Sequence, residues 1–484
     1  MLIAMTTTDH DAATPDAAIP DPATPDPATA HAWSAVGGSP ELVGQVTYES
    51  AGDVLPAVLP VRQMARAMVG ACSLAAAELA AARAGGGAGT AVPQVRVAEG
   101  AVATAFHSER NLRVDGRAPT NFAPLSGFWR TSDSWVRTHA NYPHHRARLL
   151  AALGLPDDGS RDDRALADVL AAELATRKAH EVQETVYAAG GLAVALADPA
   201  PDAASIPLVE VREAGEDGSR RLSASAPVAA PAEGVRVLDL TRVLAGPVAG
   251  RTLALLGADV LRVDAPQLPE DADTYTDTGM GKRSTLLDLG AAGDREVFEE
   301  LLATADVVLS AYRPGALDRH GLAPEALLER HPDLIVAQLC AWGWTGPWAG
   351  RRGFDSLVQV GTGIAAIETA DPTGRPGALP AQALDHGTGY LVAAGVLRGL
   401  TERQQTRRGR HLRYSLAGTA SWLMHGVQPE PPTRDVYDAR RWMTACESPY
   451  GKLDHALPPV GYAGGPGNWE RPVGLWGTDA PAWR

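Results

Sequence analysis

From residue 235 onward the chain alternates apolar blocks with short polar turns, at the spacing of strands and helices in a parallel sheet. Residues 235–240 read as an apolar strand and Gly246–Pro247 as a turn. A helix follows, and residues 259–263 read as a second strand. Strand, turn, helix and strand within about thirty residues make a βαβ unit. The turn after the first strand of such a sheet is a usual place for a ligand. No GxGxxG follows the strand, so this is not a dinucleotide fingerprint. GKRSTLLDL (281–289), ADVVLSAYRPGALDRHGL (305–322) and HPDLIVAQLCAWGWTGPWAGRRGFD (331–355) each pair an apolar strand with a loop of Gly, Pro or basic residues. The pattern predicts a doubly wound, Rossmann-like α/β domain over 234–430.

Within that domain, residues 381–400 (AQALDHGTGYLVAAGVLRGL) set Asp385 just ahead of two glycines and an apolar helical run. Gly387 and Gly389 permit close backbone approach. A carboxylate at a helix start is favoured in its ionised form by the free amides and the dipole, which suits a nucleophile. Asp is equally a common helix cap, and the segment alone leaves both readings open.

The first half differs. Residues 1–30 contain no Lys or Arg and repeat Asp-Ala-Thr-Pro phrases, a composition that predicts a disordered tail rather than a signal peptide. Residues 95–106 (VRVAEGAVATAF) can be laid against 412–423 (LRYSLAGTASWL), pairing Arg96 with Arg413. Together with a helix at 162–175, this suggests a degenerate module over 31–215. A linker at 216–233 and a C-terminal tail at 431–484, packing on the core, complete the expected division.

Other features narrow the function. A net charge of −14 argues against nucleic acid as a partner. Cys72, Cys340 and Cys446 lie far apart with no CxxC spacing, as expected in a reducing cytoplasm. No apolar run in the sequence approaches the roughly twenty residues that span a bilayer, so no membrane is expected. His139, His144 and His145 lack the spacing of a zinc site, and no Cys is nearby. They are expected at the surface or at a domain interface, and no metal is expected. Trp342, Trp344 and Trp348 are expected to pack and to wall an acyl tunnel.

Six motifs occur in one order: VLDLTRVLAGP, GADVLRVD, GKRSTLLDL, RPGALDRHGL, GWTGPWAGRRGFDSLVQ and ALDHGTG. In that order they resemble the family III CoA-transferases, which include carnitine-CoA and formyl-CoA transferases and α-methylacyl-CoA racemases. The resemblance covers residues 235–423. It implies that Asp385 is a nucleophile on an acyl-CoA thioester, forming an acyl-aspartyl anhydride and then an aspartyl-CoA thioester. It implies backbone N–H groups freed by Gly387 and Gly389 as oxyanion donors. It also implies CoA contacts from Arg242, Val243, Ala245, Gly246, Lys282, Arg283 and Arg313. Coenzyme A thioester would be a substrate, with no bound cofactor, and a carboxylic acid would be the acceptor.

The first half resembles what family members carry after the catalytic helix, including their smaller α+β domain. A fused or permuted arrangement follows, functioning as a homodimer or as a pseudo-dimer within one chain. Two departures stand out. Residues 265–273 (APQLPEDAD) are acidic where the family carries basic residues, and are expected to repel CoA phosphates. Phe354 stands where the racemases carry a His, and a phenyl ring moves no proton, so transfer is expected over racemisation. The alternative is a catalytically silent CoA-binding relative.

Overall fold

A computed structural model describes residues 25–84, 91–120, 122–157, 162–199, 206–214, 218–223, 225–369, 374–431 and 436–484. Most of the expected disordered tail lies outside the described residues. Its last part is ordered: Asp26 caps the helix Pro27–Ala35, accepting from the amide of Thr29.

The apolar blocks of the second half form a mixed α/β unit around a seven-stranded sheet. Six strands run parallel, in the order Arg283–Leu286, Asp259–Asp264, Arg236–Asp239, Val307–Ser310, Ile335–Cys340 and Arg410–Ser415. A seventh strand, Glu210–Glu213, adds an antiparallel edge beside Arg410–Ser415. It comes from the end of the expected first module, so the two halves share the sheet. The order in which strands are added reverses between Arg236–Asp239 and Val307–Ser310, and the loops after these parallel strands diverge to leave a crevice.

The first half repeats part of this plan. Val46–Glu49 pairs in parallel with Val95–Ala98, with the helix Val61–Arg83 between them and the helix Glu99–Phe106 following. The order matches Ile335–Cys340, Ala383–Thr406, Arg410–Ser415 and Leu416–His425. The two long helices pack against each other. Gly387 is where they approach closely: a Cβ there would lie 2.5 Å from Met68 Sδ. One apolar core therefore runs through both halves, from Ala32 and Trp33 through Met64 and Leu74 to Leu391 and Leu412. By length and composition the helix Val61–Arg83 could cross a membrane, which the sequence reading did not identify. Its side chains are almost all buried inside this core.

A smaller unit sits beside the core. Phe128–Arg130, Trp135–Thr138 and Ala193–Ala195 form an antiparallel sheet, covered by the helices Pro143–Leu153, Asp163–Leu174 and Ala179–Ala188. At the C-terminus, Met443–Ser448 and Gly451–Ala456 form a hairpin joined by Arg113–Val114. Beyond it Tyr462 bridges to Val95, and Thr478 to Thr285 at the edge strand. The tail thus meets the first half near Tyr462, whereas Trp476 and Trp483 lie on the α/β unit, bonded to Asp264 and Leu301.

Candidate active site

The crevice at the strand reversal opens into a cavity of about 1220 Å³. That exceeds the roughly 300–1,000 Å³ of a drug-sized site and suits a long ligand. Residues 240–246 and 311–320 line it from the α/β unit, and Tyr142 to Arg148 line it from the smaller unit. Asp385 and Phe354 lie on its wall, so both halves build one site.

Asp385 is the third residue of the helix Ala383–Thr406. The helix has no side-chain cap of its own. Asp355 caps it from outside: its carboxylate accepts from the amide of Asp385 at 3.0 Å and from that of Leu384. Gln359 holds Asp355 and also accepts from the amide of Leu379, fixing the approach to the helix. Burial pushes Asp355 up to about 6, and its amide donors oppose that rise. Burial, then the charges of Asp355 and Glu109, push Asp385 well above the ordinary carboxylate range. The expectation that the helix start keeps Asp385 ionised is therefore corrected. The helix-start amides are spent on Asp355, and Asp385 faces two other carboxylates.

Behind Asp385, His386 Nε2 meets Glu109 Oε2 at 3.0 Å, and Phe106 stacks on the imidazole at 5.3 Å. Both partners come from the first half. This turns the His386 ring toward the first half.

The first turn of the α/β unit is strained. Val243 has φ 71°, a left-handed conformation that a β-branched residue rarely adopts and that costs about 1–3 kcal/mol. Glu270 holds it, accepting from the Val243 amide at 3.1 Å. Glu270 also accepts from Tyr142 Oη at 2.7 Å and from Arg262 at 2.9 Å, and lies 3.5 Å from Arg242. Burial opposes its ionisation, but Arg262 and Arg242 outweigh it and bring the carboxyl to about 2. The acidic stretch at 265–273 thus does not act as a repulsive patch. Glu270 is neutralised inside the wall, Asp271 caps the helix Ala272–Thr278, and Asp273 pairs with Arg117.

The strained turn leads directly into the helix Ala245–Leu255, whose start lines the cavity at Ala245 and Gly246. A Cβ on Gly389 would lie 2.5 Å from Ala245 O, so this helix begins against the Asp385 helix. Its first amides have no partner within the helix and are suitable donors for an anion. Gly387 and Gly389 do not serve that role: their amides lie inside a continuous helix, and both glycines permit close packing against neighbouring elements.

The basic residues divide. Arg242, Val243, Ala245, Gly246 and Arg313 all line the cavity. Lys282 and Arg283 do not. Lys282 is fully enclosed, its Nζ 3.0 Å from Asp239 and 3.2 Å from Pro247 O. Arg283 makes a two-pronged pair with Asp259 and caps Ala482 O. Both hold the edge of the sheet. In their place the cavity gains Arg148 and Arg352, and Arg352 stands close enough to both Arg313 and Arg148 for their charges to repel it. Among the described residues no carboxylate pairs with any of these three. Arg295, Arg319 and His320 line another part of the cavity.

Of the three histidines expected at the surface or at a domain interface, His144 is exposed. His139 and His145 are buried at the interface of the smaller unit, and His139 stacks on Phe354 at 3.8 Å. The three tryptophans do not line the cavity; Trp342 and Trp348 pack on each other, and Trp348 on Tyr187. Among the described residues no group of His, Cys, Asp and Glu is arranged to hold a metal.

Matched from the helix start, Gln63 occupies the place of Asp385 in the helix Val61–Arg83. Arg62 and Arg66 there are tied to Asp26, Glu99 and Glu430. An ion-pair network occupies the corresponding place in the first half.

Comparison with known proteins shows what the chain is similar to. A protein described as a probable fatty acyl-CoA transferase, from Mycobacterium tuberculosis, is 37% identical over 190 residues, covering 37% of this chain and 48% of its own. The acetyl-CoA:oxalate CoA-transferase of Acetobacter aceti is 34% identical over 210 residues, covering 41% and 54%. The chain spans about half the length of the curated relatives it matches. A crystal structure of the M. tuberculosis protein is 34% identical and covers 41% of this chain and 58% of that one, with a TM-score of 0.38. A CAIB/BAIF family protein from Brucella suis is 29% identical, covering 46% and 65%, with a TM-score of 0.37. The model of CoA-transferase family III matches residues 22–230 and again 232–443. The chain belongs to CoA-transferase family III, with the family pattern present twice along it.

Proposed function

We propose that this protein transfers coenzyme A from an acyl-CoA to a carboxylic acid, with Asp385 as the nucleophile. The observation that carries the proposal is the placement of Asp385 on the wall of a large cavity, which also holds a helix start and three arginines that pair with no carboxylate among the described residues. A carboxylate oxygen of Asp385 attacks the thioester carbonyl, the C–S bond breaks, and CoA leaves as thiolate. The thiolate attacks the aspartyl carbonyl of the anhydride and releases the acyl carboxylate. The acceptor carboxylate then attacks the aspartyl-CoA thioester and expels the thiolate again. That thiolate takes the acceptor's carbonyl and frees Asp385. Exchange among activated acyl bonds divides one hard transfer into easier steps.

The parts have natural roles in this scheme. Amides at the start of Ala245–Leu255 stabilise the oxyanion. Arg148, Arg313 and Arg352 meet the phosphates. CoA phosphates bring their own charge to that cluster, as its lack of carboxylates requires. The strand order, with its reversal beside the cavity, supports a doubly wound, Rossmann-like reading of the α/β unit. The pairing of the two long helices supports a pseudo-dimer within one chain, with one working site and one filled by ion pairs. The racemase alternative lacks a proton carrier at Phe354, and His386 is engaged by Glu109. An Asp385→Ala variant tests the proposal: CoA transfer to a panel of acids should vanish while the melting curve stays cooperative. Near-wild-type turnover would remove Asp385 from the mechanism.

A further inference from the structure

The smaller unit contributes more than a wall. His145 lies near the start of the helix Pro143–Leu153, is 4% exposed, and lines the same cavity as Asp385. Its Nδ1 is shielded from solvent and has no hydrogen-bond partner. The ring therefore meets the cavity by its other edge. A buried orphan N–H is rarer in proteins than a buried orphan lone pair, which places the ring proton on Nε2. The polar edge open to the cavity is then a neutral N–H donor.

The surroundings state what that donor serves. Burial first, then His144, Arg352, Arg148 and Arg242, push the imidazole down to about 3, so it carries no charge at neutral pH. Of these, the three arginines carry charge at neutral pH and make the local potential positive. Tyr142 and Phe354 frame the ring edge-on, at 5.6 and 5.9 Å, and fix its orientation. A fixed neutral donor in a positive field favours an anionic acceptor.

We infer that His145 Nε2–H receives a carboxylate of the incoming acid, making it a substrate-binding residue supplied by the first half of the chain. This rests on the CoA-transfer reading for its biological meaning, but the binding itself does not require turnover. A phosphate of CoA shares the same chemistry, and the test separates the two.

The full chain is compared with two variants. His145→Phe keeps the ring volume and its packing and removes the donor. His145→Gln returns an N–H at the place of Nε2. Binding of acetate, oxalate and succinate is measured by calorimetry, and binding of CoA separately, with no turnover in either arm. The expected result is acid affinity lower by about tenfold to a hundredfold in His145→Phe, largely restored in His145→Gln, with CoA affinity unchanged. Three results would overturn the inference: equal acid affinity in wild type and His145→Phe, no saturable acid binding by the wild type, or a parallel loss of CoA affinity. Near-wild-type transfer by the Asp385→Ala variant, with acid binding still dependent on His145, would count against the mechanism alone.

Discussion

Replacing Asp355 by Asn isolates the electrostatic cost of the site, because the amide keeps the shape of the carboxyl and removes its charge. Asp355 is fully enclosed and sits against Asp385, with its pKa raised from 3.8 to about 6. A carboxyl with a folded pKa above its unfolded value stabilises the fold fully below the unfolded value. That contribution is lost as pH rises through the folded one. Between pH 4 and pH 8 the wild type therefore forfeits most of a total of about 3 kcal/mol at this position. The Asn variant does not. At pH 4 the two proteins should unfold at similar urea concentrations, since both carry a neutral group there. At pH 8 the variant should be the more stable by about 3 kcal/mol, while CoA transfer falls because the Asp385 helix has lost its charged cap. Tryptophan fluorescence during urea unfolding at both pH values reads the difference. A variant that is relatively less stable at pH 8 would show that the amides of Leu384 and Asp385 hold Asp355 low, and the account of the carboxylate pair would fail.

Arg313→Ala and Arg352→Ala should each weaken CoA binding about tenfold to a hundredfold, with less effect at high salt; calorimetry showing unchanged affinity would move the phosphate site. Lys282→Ala should act on stability, losing about 3–5 kcal/mol from a broken buried pair with Asp239; a melting curve equal to wild type would contradict that assignment. The protein should show little deuterium wash-in at the α-carbon of 2-methylacyl-CoA in D2O, because Phe354 and His139 stack where a base would be needed; rapid exchange would reopen the racemase reading. A fragment starting at residue 230 lacks the helix that covers the Gly387 face and lacks Tyr142, His145 and Arg148. It should be insoluble or inactive, and a soluble, fully active fragment would make the first half an accessory.

The middle of the parallel sheet was legible because Arg236–Asp239, Asp259–Asp264, Val307–Ser310 and Ile335–Cys340 are largely apolar blocks ending in Gly- or Pro-bearing turns, whereas Arg410–Ser415 (RHLRYS) carries polar residues along its length. The place of Asp385 at a helix start was legible from the glycines and the apolar run after it, but the purpose of the glycines was not. The close contacts of Gly387 with Met68 and Gly389 with Ala245 join residues far apart in sequence. The same separation hid Lys282, whose partner Asp239 lies on a different strand and turns an apparent phosphate ligand into a structural pair. The role of Glu270 was masked by composition. It sits in an acidic run, and only its enclosure by Arg242, Arg262 and Tyr142 reveals a neutralised support for the Val243 turn. His145, Arg148 and Glu109 gave no local signal, because the first half carries no motif that points to the cavity of the second.

The central claim is that Asp385 forms covalent intermediates, and the mass of the protein tests it directly. Incubated with an acyl-CoA panel, quenched in acid and measured intact, the chain should gain either the acyl mass or the mass of CoA less water. Peptide mapping should place the addition on the segment containing Asp385, and the Asp385→Ala variant should gain nothing. An unmodified wild type across the panel, or an adduct that persists in the variant, would contradict the account.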